Sequence, residues 1–196
     1  MTTTNDLFYE VHEGSGPYIL MVHGMLSSRE QWRLNLEAMA GVARPVVVEL
    51  WGHGRSPTPE DPAAYDPDTY VAAFERLRLS LGAERWVVCG QSFGAALTMR
   101  YALSHPAHVE ASIFTNSSAA LADDEALAVM KVRNDGWADA IEAGDPGVID
   151  NMPIHPARAT RLPKETRAAI LEDTALLDPM GVARNFRHTL PTMSVR

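Results

Sequence analysis

One pentapeptide constrains this chain more than any other feature: Gly90-Gln-Ser92-Phe-Gly94, wedged between an apolar run and a helical pattern. The run before it, Trp86-Val-Val-Cys89, is short, β-branched and apolar on both faces, which is the signature of a buried parallel strand. The stretch after it, Phe93 to Ser104, reads as a helix that stops ahead of Pro106. A strand that turns into a helix within so few residues holds its central residue in a sparsely populated backbone conformation. That turn lifts the Ser92 hydroxyl clear of the sheet edge. Residues two before and two after the serine come close together there, and Gly90 and Gly94 remove the clash of side chains. The helix also aims its N-terminal N–H groups and positive dipole end at the surroundings of Ser92.

The same alternation runs through the first part of the chain. Tyr18-Ile-Leu-Met-Val22, Pro45-Val-Val-Val48 and the less pure Val109-Glu-Ala-Ser-Ile-Phe114 read as further buried strands. Leu7-Phe-Tyr-Glu-Val-His12 alternates more and reads as an edge strand turning into the first buried one. Ser28 to Ala40 places Trp32, Leu36 and Met39 on one helical face, with Ser27 or Ser28 as N-cap. Asp68 to Leu81 does the same with Val71, Phe74, Leu77 and Leu81, and ends at Gly82. Strand, helix, strand, helix implies right-handed crossovers and an α/β fold, a doubly wound, mostly parallel sheet with flanking helices. Beyond about residue 118 the pattern turns helical and loop-like, punctuated by Pro146, Pro153, Pro156, Pro163, Pro179 and Pro191. The expected organisation is therefore a sheet-bearing core over 1–118 and a helical cap or lid over 119–196.

Composition narrows the partners. With 17 Lys+Arg against 25 Asp+Glu the net charge is −8, and no basic patch stands out for nucleic acid or an anionic membrane. Met1-Thr-Thr-Thr-Asn-Asp6 lacks the basic and then apolar run of a secretion signal, and no stretch approaches a membrane span, so the expected location is the cytoplasm. Cys89 is the single cysteine, which excludes an internal disulfide and a cysteine metal cluster.

Two further motifs stand at the ends of the earlier strands. His23-Gly24-Met25 closes the first buried strand. An acyl-transfer site needs two backbone donors aimed at the developing oxyanion. The N–H of Phe93, directly after the nucleophile, is one; the N–H of Met25 is the best candidate for the other. Gly24 lets the backbone approach closely, and His23 braces the loop. Glu49-Leu-Trp-Gly52-His53-Gly54-Arg55-Ser56 follows the second buried strand. His-Gly, then Gly-His-Gly-Arg-Ser, then Gly-x-Ser-x-Gly, in this order from about Phe8 to Phe114, resembles the α/β-hydrolase family. It is most similar to the cap-bearing esterases, C–C bond hydrolases and lactonases. Glu49 stands where that family usually has Asp, and is expected to tie down loop N–H groups as the Asp does. Trp51 replaces the usual Pro or Arg, and Gln91 stands where many members have His.

The resemblance implies a serine hydrolase in which Ser92 attacks an ester or related acyl carbonyl, with no metal or organic cofactor and a small-molecule acyl substrate. It also implies an acid and then a histidine downstream of the nucleophile. The chain reaches Arg196 before either is met, and roughly 60–90 residues of a typical domain of this kind are expected to lie beyond it. The last strands of the core and both remaining triad members are then expected from a separate C-terminal polypeptide, a second subunit, or a segment of the same protein that this sequence lacks. Of the histidines present after Ser92, His105 and His108 flank Pro106, far along the helix. His155 lies between Pro153 and Pro156, and His188 in a short helical pattern; each reads as a surface or cap residue. Asn116 occupies a place where some members carry the acid, and Asp123 and Asp124 read as the start of a cap helix. This chain alone is expected to be weak or inactive. A non-catalytic binding protein or inactive fragment reusing the fold, and a perhydrolase or acyltransferase, are the alternative readings. Met25, Leu26, Trp32, Trp51 and Phe93 are candidates for lining the acyl pocket, with Trp32 and Trp51 equally readable as core. Met130, Trp137 and Met152 read as core of the helical segment.

Overall fold

The apolar runs become neighbouring strands in the computed structural model, which describes residues 6–145 and 147–196. The N-terminal reading over residues 1–5 and the breaker Pro146 lie outside the described residues. The strands are β1 (Tyr9–Val11), β2 (Tyr18–Val22), β3 (Arg44–Val48), β4 (Trp86–Gln91) and β5 (Val109–Thr115), in the order β1-β3-β2-β4-β5. β2, β3, β4 and β5 run parallel, in register from Leu20 to Val46 and Val88. β1 lies at an edge as expected, but it pairs antiparallel with β3 rather than with the strand that follows it. The loop through Gly16 and Pro17 thus carries the chain over β3 before β2 begins.

Period-two alternation divides the side chains between two faces. Leu20, Val22, Val46, Val48, Trp86 and Val88 point into the larger core. Ile19, Met21, Val47 and Cys89 point into a smaller one. Each fully buried Val or Leu contributes about 1.5–3 kcal/mol, so the unbroken apolar runs are what hold the central strands in place.

Helices cover both faces. α1 (Arg33–Met39) follows a 3-10 turn over Arg29–Trp32 whose N-cap, Ser28, accepts from the Glu30 N–H. Trp32, Leu36 and Met39 seal the smaller core. α2 (Pro67–Ser80), N-capped by Asp66, and α3 (Phe93–Ser104) cover the other face with Phe74, Leu77, Leu97 and Tyr101. After Thr115 the described residues form helices and turns only: α4 (Asp124–Glu142), α5 (Val148–Asn151), α6 (Lys164–Thr174) and α7 (Pro179–Arg184).

This helical segment shares the larger core, through Ala120, Ala138, Ile141, Val182, Phe186 and Met193. Its closest approach is at Gly52, where any Cβ would collide with the backbone of Gly181. Asn185 locks the contact: its Nδ2 donates to the Trp51 carbonyl at 2.9 Å and its Oδ1 accepts from the Tyr70 hydroxyl at 2.7 Å. β5 differs from the other parallel strands, because Ile113 and Phe114 are 43% and 38% exposed. Among the described residues its outer edge has no partner strand. No described helix is long and apolar enough to cross a membrane.

Candidate active site

Ser92 sits between β4 and α3 with φ 53° and ψ −109°, a left-handed conformation that side chains rarely adopt. Its own N–H donates to the Thr115 carbonyl at 2.8 Å, tying the turn to the end of β5. Both flanking glycines are sterically required, though not for the same reason. A Cβ at position 90 would run into the Gly94 carbonyl and the Thr98 hydroxyl, as the tight turn predicts. A Cβ at position 94 would instead strike the carbonyls of Val22 and His23 on β2. Gly94 therefore lets α3 settle against the neighbouring strand.

The loop after β2 is held from several sides. The Gly24 N–H donates to Gln31 Oε1 at 3.2 Å. The Leu26 N–H donates to His53 Nε2 at 3.2 Å, and the Leu50 N–H to His23 Nε2 at 3.1 Å. A ring nitrogen that accepts from a backbone N–H leaves its proton on the other nitrogen. His23 Nδ1 then donates to the Gly24 carbonyl at 2.7 Å, and His53 Nδ1 to the Trp51 carbonyl at 3.1 Å. Burial pushes the His23 pKa down to about 3, helped by the charge of His53 and opposed by the Gly24 hydrogen bond. Burial likewise lowers His53 to about 4, against its bond to Trp51. Both rings are neutral braces. The N–H groups of Gly24 and Leu26 are thereby taken, whereas those of Met25 and Phe93 make no hydrogen bond to another described residue. Both residues line a cavity with Ser92.

Glu49 is fully buried and accepts from the Arg55 N–H at 2.6 Å, which is the loop-tying contact expected of it. Burial raises its pKa, opposed by the N–H and guanidinium of Arg55. Arg55 spans from Glu49, at 3.1 Å, to Asp173 on α6, at 3.2 Å, and Arg29 approaches Asp173 at 3.7 Å. One buried acid in the loop after β3 is thus linked through arginine to one on the helical segment.

Two cavities open on Ser92. The wider, about 440 Å³, is lined by Met25, Gln31, Gln91 and Asn116 from the sheet-bearing part and by Ile154, Pro156, Leu162 and Ile170 from the helical segment. The narrower, about 240 Å³, is lined by Met25, Phe93, Met130, Arg133, Asn134, Trp137, Phe186 and Met193 among others. Leu26, Trp32 and Trp51 line neither. Leu26 is fully buried, Trp32 fills the smaller core, and Trp51 packs on Tyr70 with ring centres 4.3 Å apart. Met130 and Trp137, read as core, face the narrower cavity, whereas Met152 is buried at 1% exposure. Gln31, Arg133 and Asn134 carried no motif, so the sequence did not single them out.

Among the described residues no side chain hydrogen-bonds the Ser92 hydroxyl. His105 stacks on Tyr101 at 4.9 Å, and His108 lies 3.2 Å from Glu75. His155 is buried, accepts from the Ala157 N–H and lies 3.6 Å from Asp150. His188 lies in a π-helical turn beside Arg187. Asn116 reaches the cavity from a left-handed position, φ 56°. Asp123 N-caps α4 by accepting from the Ala126 N–H, and Asp124 begins that helix. No trio of metal-binding side chains converges among the described residues.

The chain is similar to several known proteins. The chain is 29% identical over 125 residues to 1-acylglycerol-3-phosphate O-acyltransferase of Arabidopsis thaliana, covering 62% of this chain and 30% of that protein. It is 36% identical over 109 residues to a probable proline iminopeptidase of Streptomyces coelicolor, covering 51% of this chain and 32% of the relative. The aligned part thus spans about a third of the length of these curated relatives. Among solved structures, MenH from S. aureus superposes with a TM-score of 0.79 at 18% identity, covering 92% of this chain and 70% of the other. A Bacillus megaterium epoxide hydrolase gives 0.75 at 16% identity, covering 93% and 68%. At such identities the superpositions establish the fold. The sequence itself matches the alpha/beta hydrolase fold family over residues 17–185, and the chain belongs to that family.

Proposed function

We propose that Ser92 is the nucleophile of a serine hydrolase that cleaves an ester or related acyl carbonyl through an acyl-enzyme. The observation that carries this reading is the strained Ser92 turn, opening on the same cavity as two backbone N–H groups without a described acceptor, those of Phe93 and Met25. The serine oxygen would attack the carbonyl carbon while both N–H groups hold the resulting oxyanion. Collapse expels the alcohol or other leaving group, which needs a proton, and water then releases the acid. The base that takes the serine proton, and the acid that orients it, come in this reading from a further polypeptide segment packing along β5. The unpaired β5 edge and exposed Ile113 and Phe114 support that placement. The helical segment after about residue 118 acts as the cap over the site.

The test is a denaturing intact-mass spectrum of the protein as isolated from its cells, after exposure to a fluorophosphonate, with Ser92→Ala alongside. The expected result is one phosphonyl group on the Ser92 protein, absent from the variant. Absence of label overturns the reading and favours a binding protein built on the same fold. A second reading, acyl transfer to an alcohol, is favoured by the acyltransferases among the relatives. Added alcohol would then divert the acyl group from water to an ester product.

A further inference from the structure

The stripe Met130, Arg133, Asn134 and Trp137 falls at i, i+3, i+4 and i+7 on α4, so all four side chains share one helical face. All four line the narrower cavity beside Ser92. Within that stripe Arg133 is the anomaly. Across both cavities that reach Ser92, it is the one charged residue among the described lining. Arg133 is exposed, so its guanidinium stays solvated and open to an anion carried by a ligand that enters the cavity.

Its partners in the structure leave that anion unsupplied. The Arg133 guanidinium lies over the Trp137 ring, 4.9 Å from its centre. Its Nε and Nη2 approach Asn134 Oδ1 at 3.4 and 3.3 Å, long contacts to a neutral acceptor. Among the described residues it forms no ion pair. The nearby acids of the same helix are engaged elsewhere, Asp135 with Lys131 at 2.5 Å and Asp139 with Arg187 at 2.7 Å. Asn134 is 1% exposed and its Oδ1 faces Arg133, so the guanidinium lies between this amide and the Trp137 ring. A planar, always-charged fork of this kind matches a carboxylate with two parallel N–H···O bonds.

We propose that the narrower cavity binds acyl substrates that carry a second, free carboxylate, held by Arg133, with their apolar body against Trp137 and Met130. The substrate class is then a half-ester or related monoacyl derivative of a dicarboxylic acid. This deepens the hydrolase reading and rests on it for the word substrate; the binding itself does not require Ser92 to react.

The test separates the two. Monomethyl adipate and dimethyl adipate, which differ by one charge, are titrated into the Ser92→Ala protein, with Trp137 fluorescence as readout and Trp137→Phe as control. The monoester is expected to bind on the order of tenfold tighter, the scale of one charge-assisted pair at a partly solvated site. Arg133→Gln is expected to erase that preference, so that monoester and diester bind with equal affinity. Because Arg133 is exposed, the variant keeps its fold, which a thermal melt verifies. Equal affinity for both esters, or a preference that survives Arg133→Gln, overturns the proposal. Phosphonyl labelling of Ser92 without a carboxylate preference would sink this inference and leave the hydrolase reading standing. A preference without labelling would do the reverse.

Discussion

His23 and His53 brace each other's loops: each ring, from the loop after one strand, accepts a backbone N–H from the loop after the other, with ring centres 5.1 Å apart. Neither proton-free Nε2 can take a proton without breaking that bond. The pair therefore fixes the loop of Met25 only while both imidazoles are neutral.

Stability against acid should report this. Burial lowers the folded pKa values from 6.5 to about 3 and about 4. Groups depressed in this way contribute fully above the unfolded value and lose that contribution as pH falls toward the folded one. Between about pH 6 and 4 each histidine should steepen the loss of stability by at most ~1.4 kcal/mol per pH unit. His53→Gln keeps an acceptor for Leu26 and cannot titrate, so its denaturation midpoints should fall less steeply over that range. Parallel pH profiles for the two proteins would rule the brace out as their source.

The strain at Ser92 gives a stability prediction of opposite sign. A left-handed non-glycine residue costs on the order of 1–3 kcal/mol, partly offset by the larger unfolded entropy of glycine. Ser92→Gly should thus stabilise the chain by about 1 kcal/mol in urea unfolding, while removing the hydroxyl that takes the fluorophosphonate. Ser92→Ala removes the hydroxyl but keeps the backbone conformation, and should gain less. If alanine and glycine give equal gains, the backbone is not where the strain lies.

The elbow, the three purest strands and the helices after them were legible because each rests on local pattern: apolar runs, caps and a glycine-bounded turn. The cavity wall was not. Trp32 and Trp51 read equally as lining or core, and what settles Trp51 in the core is Tyr70 and the Asn185 contact to its carbonyl, partners more than a dozen residues away. Met130 and Trp137 do pack against the core, but helical spacing says only that residues share a face and not that this face also meets a cavity. Arg133 could have been noticed as a charge inside that stripe. The antiparallel pairing of β1 with β3 was likewise out of reach, because strand order is a property of crossovers rather than of the strand's own residues.

The Asp173 contacts predict how the helical segment opens. Asp173 is nearly buried and meets Arg55 and Arg29, which also contact Glu49 at 3.1 and 4.0 Å. Asp173→Asn keeps the shape and removes the charge that ties α6 to the loops below it. Hydrogen exchange in Lys164–Thr174 should quicken by roughly a factor of five to ten, about 1 kcal/mol of local opening, with β2 unaffected. Uniform quickening across α6 and β2 would mean that the link supports the whole fold rather than this helix.

The open side of β5 makes the last prediction. Its residues alternate Ser112, Ile113, Phe114 along an unpaired edge, and no charged side chain follows Glu110 in the strand. Edges of that kind pair with other chains unless something covers them. This chain by itself should therefore associate as its concentration rises, detectable as a growing sedimentation coefficient in the micromolar range. Ile113→Lys places a charge on an exposed position, so it should weaken that association about tenfold without lowering the melting temperature. The proposed completing segment, when present, should suppress association as well, since it would occupy the same edge. Sedimentation that is independent of concentration would show that β5 is already protected in the isolated chain, and the case for a segment packing along it would fall with that result.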